Sequence, residues 1–342
     1  MADDDRIVSD PWGNQTFAGK FDFARNGSFI YLSGSPNKHA RTLIWTDRSG
    51  NTQPLSLTLN RYSHPRISPD GKRLAVAAGS NIWVVNLQHN TPLRLTYRTT
   101  FNQQPEWSPD GQHLVYSGRS GSSFGIWWVR ADGAGEPQQL LESRAFVAPS
   151  SISSDGTRIA FHKWTIQTGW DIWILPIDAS DPDHPKPGRP KCFLGSPQEE
   201  VSASFSPDGR WIAYSSSESG TWGVSIRPFS GLGGPWRIDS SGWPFPFWSR
   251  DGRTLYYLRA DYGLMEVAYS EQKGAFVAEE PRAWSPRSGM SKATDFAMSP
   301  DGKRAIVVVE PEVPSVQESN IQVTFLLNFF DELRRRAPTA GK

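Results

Sequence analysis

The side chains best suited to catalysis or metal binding are spread thinly along this sequence. Cys192 is the only cysteine, which excludes an internal disulfide and any multi-cysteine metal site. The glycine-rich run at residues 231–234 precedes Pro235 and lacks the strand-to-helix context of a phosphate-binding loop. No two histidines have the spacing of a zinc site on one element, so we expect neither a metal site nor a cofactor. The histidines are His39, His64, His89, His113, His162 and His184.

Signatures of the common enzyme classes are also missing from the sequence. There is no Gly-x-Ser-x-Gly nucleophile elbow, and the motifs of the protein kinase catalytic domain are not found. The sequence therefore predicts a protein without catalytic apparatus.

The charges of the chain are balanced, with 36 Lys and Arg against 35 Asp and Glu. Such a protein has no net field to draw it to nucleic acid or to an anionic membrane. Residues 1–20 lack the apolar run of a secretory signal, and no window reaches the roughly 18 apolar residues of a spanning helix. We expect a monomer with no nucleic-acid partner and no membrane insertion. A domain excised from a longer protein would look the same.

A repeated hairpin turn organises the sequence. Six segments share an apolar residue, Ser, a variable residue that is most often Pro, then Asp and Gly, and a degenerate seventh copy stands at Phe23–Gly27. The steps from Asn26 through the six aspartates are 44, 40, 45, 53, 43 and 50 residues, which matches the length of one β-propeller blade. The six copies are Ile67–Gly71, Trp107–Gly111, Ile152–Gly156, Phe205–Gly209, Trp248–Gly252 and Met298–Gly302.

The turns are followed by short apolar runs, and a Trp-rich or aliphatic third strand and a weaker fourth strand come after these. We therefore predict one all-β domain over residues 1–342, a seven-bladed β-propeller of four-stranded antiparallel blades, with six blades as the alternative. The closing outer strand is expected from residues 5–10 or is replaced by a short terminal helix at residues 328–337. The predicted units are 17–56, 57–99, 100–143, 144–197, 198–240, 241–288 and 289–327.

The Asp and Gly of each turn are expected to be structural. Asp bonds its own backbone, and Gly takes the positive φ that closes a tight hairpin. These residues are Asp70, Gly71, Asp110, Gly111, Asp155, Gly156, Asp208, Gly209, Asp251, Gly252, Asp301 and Gly302.

These repeats resemble the TolB-like family of WD-repeat-like bacterial propellers, and more narrowly the propeller fused behind the membrane span of some bacterial serine/threonine protein kinases. The matching stretches are Leu43–Gly50, Asn81–Val84, Asp171–Trp173, Phe247–Gly252 and Asn328–Leu333. The resemblance implies a periplasmic or extracellular sensor or scaffold domain. TolB-like propellers usually have six blades, which keeps the lower count open.

Propellers bind ligands at the channel mouth, where the loops between blades gather, so the candidate binding residues are taken from those loops. Their mixture of polar, charged and aromatic types favours a protein or peptide partner, with a small polar ligand as the alternative. The predicted set is Arg61, Tyr62, His64, Asn102, Gln104, Arg144, Glu199, Glu200, Trp243 and Lys292.

A different class of function stays open at this stage. A lyase or hydrolase could use acidic and basic groups around the channel, for which His64 would have to converge with Glu199 or Glu200. The long loops at residues 163–170 and 180–191 are either partner-docking edges or tolerated insertions.

Overall fold

The protein is described from a computed structural model. It covers residues 21–23, 29–33, 41–57, 61–97, 99–218, 220–231, 233–240, 245–259, 261, 263–272, 275–286, 293–310, 322–326 and 335. The chain divides into two compact units, Met1–His39 with Glu312–Lys342, and Ala40–Pro311.

The described secondary structure is almost entirely β. In chain order the first strands are β1 (Phe21–Phe23), β2 (Phe29–Ser33), β3 (Thr42–Asp47), β4 (Thr52–Pro54), β5 (Tyr62–Ile67), β6 (Arg73–Ala78), β7 (Asn81–Asn86), β8 (Thr91–Arg94), β9 (Thr100–Trp107), β10 (His113–Ser120), β11 (Ser123–Arg130), β12 (Gln138–Ser143), β13 (Val147–Ile152), β14 (Arg158–Thr165) and β15 (Gly169–Asp178). The others are β16 (Lys186–Pro187), β17 (Lys191–Leu194), β18 (Glu200–Phe205), β19 (Trp211–Ser216), β20 (Gly223–Pro228), β21 (Trp236–Asp239), β22 (Phe247–Trp248), β23 (Thr254–Leu258), β24 (Leu264–Gln272), β25 (Ala275–Ala278), β26 (Arg282–Ala283), β27 (Ala293–Met298), β28 (Arg304–Val309) and β29 (Gln322–Leu326).

Six antiparallel sheets form the blades of the larger unit, Ala40–Pro311. Blades 1 to 5 follow the chain and contain β5–β8, β9–β12, β13–β17, β18–β21 and β22–β26. Blade 6 contains four strands in the order β27-β28-β3-β4. Apolar clusters lie between adjacent blades, as where Ile82 of blade 1 packs with Trp107 and Tyr116 of blade 2. Burial between two sheets explains why each blade contains short, continuous apolar runs.

The seven-blade prediction is wrong, because the first predicted unit is not a blade. Its third and fourth strands, β3 and β4, join β27 and β28, with Ile44 opposite Val307. This pairing closes the ring with strands from both ends of the unit. It removes the open edge that the prediction assigned to residues 5–10, which lie outside the described residues.

The strands of the smaller unit form a separate sheet in the order β1-β2-β29. The predicted third strand of the last unit is thus a neighbour of β2, with Tyr31 opposite Thr324. The predicted helix at residues 328–337 lies outside the described residues except for Arg335. Among the described residues, no helix is long and apolar enough to cross a bilayer.

The repeated turns have one hydrogen-bonding pattern. In blade 1, the Ser68 hydroxyl donates to Asp70 Oδ1 at 2.5 Å and accepts from the Arg73 amide at 2.9 Å. Asp70 Oδ1 also accepts from the Lys72 amide at 3.0 Å. The glycine that follows has φ of +75° in blade 1, and the other five have φ between +66° and +71°. The turn thus satisfies its own polar groups.

The loop at residues 180–191 packs against blade 2. Trp128 Nε1 donates to the carbonyl of Pro182 at 2.9 Å, and Arg130 and His113 both contact the Asp183 carboxylate. This insertion is therefore held by its neighbouring blade. The other long loop exposes Trp164 and Ile166 at the tip of its hairpin.

An ion-pair cluster ties the closing strands to blade 5. Arg48, in the turn after β3, forms a bidentate pair with Glu266 at 2.8 and 3.1 Å, and Arg282 Nε donates to the same carboxylate at 2.9 Å. Glu266 is 5% exposed. Because this carboxylate is buried and accepts three charged donors, it contributes more than a surface pair would.

We predict that Glu266→Gln lowers the free energy of unfolding by about 1–2 kcal/mol, because charged hydrogen bonds to a buried acceptor are weakened. Urea unfolding measures the change. Glu310→Gln is the matched control, since Glu310 pairs with Arg41 at 3.7 Å and its side chain is 51% exposed. We expect the control to change stability by less than about 0.5 kcal/mol. Equal effects of the two substitutions would contradict the role given to Glu266.

We also predict that Gly209→Ala destabilises the protein by about 1–2 kcal/mol, because an L residue is forced into the left-handed region. Gly209 has φ +69°, and a Cβ there would have no atom within 4 Å, so only backbone strain acts. Gly234 also has open space around it but lies outside the left-handed region, so Gly234→Ala is the control. Thermal unfolding of both variants separates strain from packing, and a control that loses as much stability would refute the argument.

Candidate functional site

The inner strands of five blades carry a β-bulge near their first residues. Register shifts occur in β5, β9, β13, β18 and β27 where each pairs with the next strand. A bulge inserts one residue and redirects side chains, and bulges are common beside functional sites. The repetition places equivalent residues of several blades around the central channel.

Three bulges contain a non-glycine residue in the left-handed region. His64, Gln104 and Ser202 occupy equivalent positions in β5, β9 and β18, with φ of 52°, 53° and 56°. Each such residue costs about 1 kcal/mol or more, and strain of this kind persists only where the surroundings impose it. All three side chains are buried.

The channel holds two neighbouring cavities. The larger, of about 490 Å³, runs from Arg66 and Glu106 to residues of the repeated turns such as Pro109, Ser154 and Arg250. We call the end lined by these turns the turn mouth. The smaller cavity, of about 20 Å³, lies at the other end and shares Arg66, Ser150, Phe245 and Pro246 with the first. Its remaining lining residues are Gln104, Pro149, His162 and Ser202.

A set of three charged residues, Arg66, Glu106 and Asp295, stands beside the small cavity. Arg66 Nε donates to Glu106 Oε1 at 2.6 Å, and its Nη1 lies 3.8 Å from Asp295 Oδ1. Asp295 Oδ2 accepts from the amide of His64 at 2.9 Å. The three residues come from β5, β9 and β27, so blades 1, 2 and 6 meet here. We call them the charged triad.

Burial changes the proton affinities in this region. It raises the pKa of Glu106 to about 7 and that of Asp295 to about 6, although the nearby Arg66 lowers both. Burial also lowers the pKa of His64 and His162 to about 3, so both imidazoles are neutral at pH 7. Two carboxyl groups that titrate near neutrality, one of them facing a cavity, are typical of a functional site.

Of the residues predicted from the loops, His64 and Gln104 reach this region. Gln104 lines the small cavity, and its Oε1 has no hydrogen-bond partner among the described residues. His64 Nδ1 is likewise buried without one. Trp243 and Lys292 lie outside the described residues.

The other predicted residues have different surroundings. Arg61 and Arg144 are exposed, and Tyr62 is buried in the apolar cluster between blades 6 and 1. Asn102 is buried, and its Nδ2 donates to the carbonyls of Ser80 and Thr99. These residues therefore do not converge on the cavities.

Glu199 and Glu200 lie between blades 3 and 4, away from the cavity walls. Glu199 is half-buried beside Gly169, and Glu200 accepts from the Ser196 hydroxyl at 2.5 Å. Burial raises the pKa of Glu200, and the Asp171 carboxylate adds to this effect. The enzyme hypothesis required one of these glutamates to converge with His64, but neither lines a cavity with it.

Sequence reasoning missed Arg66, Glu106 and Asp295. One signal was available, because Arg66 and Glu106 stand at the same place, two residues before the turn serine, in consecutive repeats. Opposite charges at one repeat position suggest an ion pair between neighbouring blades. Asp295 gave no such signal, since it precedes the turn of the last blade by four residues.

The chemical capacity of the site is recognition of a polar or charged group within a partly apolar channel. Among the described residues, no group of three or more His, Cys, Asp or Glu side chains could hold a metal ion. The channel walls combine serine hydroxyls with Phe247, Trp248 and Met298. Such a mixture of apolar surface and a few placed polar groups is typical of a ligand pocket.

We predict that the free energy of unfolding of Glu106→Gln, relative to that of wild type, increases as pH rises from about 5 to 7.5. The folded-state pKa of Glu106 lies above its unfolded value, so its stabilising contribution is present at low pH and is lost as pH rises through about 7. The difference between the two proteins should change by at most about 1.4 kcal/mol per pH unit in urea unfolding. The two buried histidines titrate in both proteins and cancel. Exposed Glu142→Gln should give a curve parallel to wild type, and a parallel curve for Glu106→Gln would contradict the prediction.

Comparison with known proteins places this fold. No family model matches the chain. The structure of a putative TolB from Agrobacterium tumefaciens aligns with a TM-score of 0.61 and 20% identity, over 80% of this chain and 99% of that one. A puromycin-hydrolysing peptidase of Mycobacterium tuberculosis aligns with a TM-score of 0.52 and 16% identity, over 87% of this chain and 55% of the peptidase. An oligogalacturonate lyase in complex with manganese aligns with a TM-score of 0.50 and 13% identity, over 86% of this chain and 97% of the lyase.

Among curated proteins, the uncharacterized peptidase YuxL of Bacillus subtilis (strain 168) is 23% identical over 192 residues. The match covers 44% of this chain and 29% of that protein, so the chain spans less than a third of its length. At these identities the likeness concerns the fold alone. The described part of the chain is a six-bladed β-propeller whose fold is similar to that of the putative TolB.

Proposed function

We propose that this propeller is a non-catalytic binding module that accepts a segment of another polypeptide through the turn mouth of its channel. The observation that carries the proposal is the 490 Å³ cavity to which the inner strands of all six blades contribute. Its volume lies in the range of roughly 300–1,000 Å³ that is usual for ligand pockets. An extended chain fits a channel that is deep along one axis and walled by strands.

The lining of the channel supports a polypeptide over a purely apolar ligand. Aromatic and apolar surface comes from Phe247 and Met298, while the hydroxyls of Ser151 and Ser204 offer hydrogen bonds to a backbone. Arg250 replaces the usual turn proline and adds an exposed cation at the turn mouth. A small polar ligand is the alternative occupant.

The biological role that suits this module is that of a sensor or scaffold domain of a bacterial envelope or receptor protein. The TolB-like fold supports this assignment, and a periplasmic or extracellular location goes with it. Both are part of the proposal, since fold alone does not determine function.

An enzyme is the second candidate, because Glu106 titrates near neutrality and lines the channel. A lyase and a peptidase are among the solved structures whose fold is similar to that of this chain. Against this candidate, Glu106 Oε1 is engaged by Arg66, and His162 is neutral with a low pKa. A hydrolytic pair in the channel would need a nucleophile within hydrogen-bond reach of a base.

We predict that peptides selected from a display library of random dodecamers bind in the channel. Ser154→Trp at the turn mouth and Ser204→Trp deeper inside should each weaken binding by about tenfold or more, since an indole fills space that the peptide needs. Ser120→Trp, on an exposed hairpin of blade 2, is the control and should bind as wild type does. Isothermal titration calorimetry measures the affinities.

Two results would contradict the proposal. If the selected peptides bind the channel variants as well as the control, the binding surface lies outside the channel. If mass spectrometry shows that the protein cleaves or modifies the bound peptides, the module is an enzyme.

A further inference from the structure

The charges around the small cavity do not balance. Arg66 is the cation of the charged triad, and Glu106 and Asp295 are its two carboxylates. Arg41 also acts electrostatically on Asp295, but it lies 3.7 Å from a third carboxylate, that of Glu310. With its three groups ionised, the triad has a net charge of −1, and the pair of Arg41 with Glu310, whose side chain is 51% exposed, adds none. Because His64 and His162 are neutral, they do not offset it.

A buried excess of negative charge is costly unless it is protonated or paired with a cation. The raised pKa of Glu106 and that of Asp295 are consistent with this cost. Glu106 lines the large cavity, so an incoming cation can reach its carboxylate along the channel. Asp295 is not among the residues that line either cavity.

An independent feature of the small cavity points to a hydrogen-bond donor. Gln104 is 4% exposed and lines this cavity, and its Oε1 accepts no hydrogen bond from the described residues. A buried acceptor of this kind costs about 1–3 kcal/mol when it is left unsatisfied. Gln104 is held there in a strained left-handed conformation, so the backbone places this amide at the cavity.

The size of the cavity selects among cations. Its volume of about 20 Å³ is close to the roughly 10–15 Å³ that accommodates a single water molecule. An ammonium group has the same size and carries three donors, whereas a planar guanidinium is larger and needs a wider site. Phe245, which lines both cavities, offers an aromatic surface that favours a cation.

We propose that the small cavity and the adjoining carboxylate of Glu106 form a subsite for a primary ammonium group on an aliphatic stem. This inference rests on the proposed function, because the stem occupies the same channel. Gln104 Oε1 and the Glu106 carboxylate accept from the ammonium, and the serine hydroxyls of the wall complete its surroundings. An α-amino terminus, a lysine side chain and a free alkylamine share this chemistry.

The test uses n-butylammonium against n-butyrate and n-butanol, which have similar stems and different head groups. Trp107 lines the large cavity and its Nε1 donates to the carbonyl of Arg66 at 2.8 Å, so its indole N–H resonance reports on the channel. We expect butylammonium to bind about tenfold more tightly than either analogue at pH 8. Its affinity should fall as pH is lowered from 8 to 5, because protonation of Glu106 removes the paired charge.

Two variants and one control connect the effect to the subsite. Glu106→Gln should weaken butylammonium binding by about tenfold and abolish its pH dependence, whereas butanol binding should be unchanged. Gln104→Met keeps the volume, removes the acceptor and should also weaken binding, which provides a second measurement if Glu106→Gln folds poorly. Glu142→Gln, on an exposed strand, should behave as wild type.

Peptides distinguish the source of the ammonium. The first probe, Ala-Ala-Ala-amide, has an α-ammonium group, and the second, N-acetyl-Ala-Ala-Lys-amide, has a lysine ammonium group. The third, N-acetyl-Ala-Ala-Ala-amide, has no ammonium group. Preference for the first or second names the source. Equal binding of all three peptides, or of butyrate and butylammonium, overturns the ammonium subsite but leaves the binding module in place. If no probe binds and the display library also yields no binding peptide, both the ammonium subsite and the proposed function are wrong.

Discussion

Closure of the ring is the constraint on which the rest of this structure depends. β3 pairs with β28 although more than 250 residues separate them, and this pairing fixes blade 6 against blade 1. The charged triad exists only when that closure is made, because Asp295 belongs to blade 6 and Arg66 to blade 1. The amide of His64 is likewise satisfied by Asp295 across the same boundary. The non-local pairing therefore assembles both the fold and the channel site.

The repeated turns allow the blades to be nearly interchangeable while the channel varies. Each turn satisfies the hydrogen-bonding groups of its serine, its aspartate and its backbone internally. The residue at the second position of the turn is therefore not needed for these hydrogen bonds. That position can then hold Ser154 or Arg250 in place of proline. Since these residues line the turn mouth, the chemistry of the channel can change without altering the hairpin.

Much of the fold could be predicted from the sequence, because hairpin turns and short apolar runs are local signals. The blade count could not, since Asn26–Gly27 stands one blade length before the next turn, and β3 resembles a third strand of that unit. Its partner, β28, lies near the other end of the chain. Local patterns contain no information on which end supplies the outer strands.

The candidate site was predicted only in part, for a different physical reason. In a regular strand, alternate residues face the same side, so channel-facing positions can be read from the sequence. The bulges in β5 and β9 insert a residue between Ser63 and Arg66 and between Gln103 and Glu106, which breaks that alternation. The set predicted from the loops contains His64 and Gln104 but not Arg66 and Glu106, which lie two residues further along the same strands. The bulge brings all four to one end of the channel.

The charged triad is not a requirement of the blade architecture. Phe247 in blade 5 and Ala297 in blade 6 occupy the position that Arg66 holds in blade 1, and Phe245 holds the position of Gln104. Apolar residues are thus compatible with the same positions relative to the turn. Buried ion pairs are often no more stabilising than well-packed apolar side chains, and a strained bulge adds to the cost. The polar residues at the small cavity are therefore consistent with the ammonium subsite that we propose.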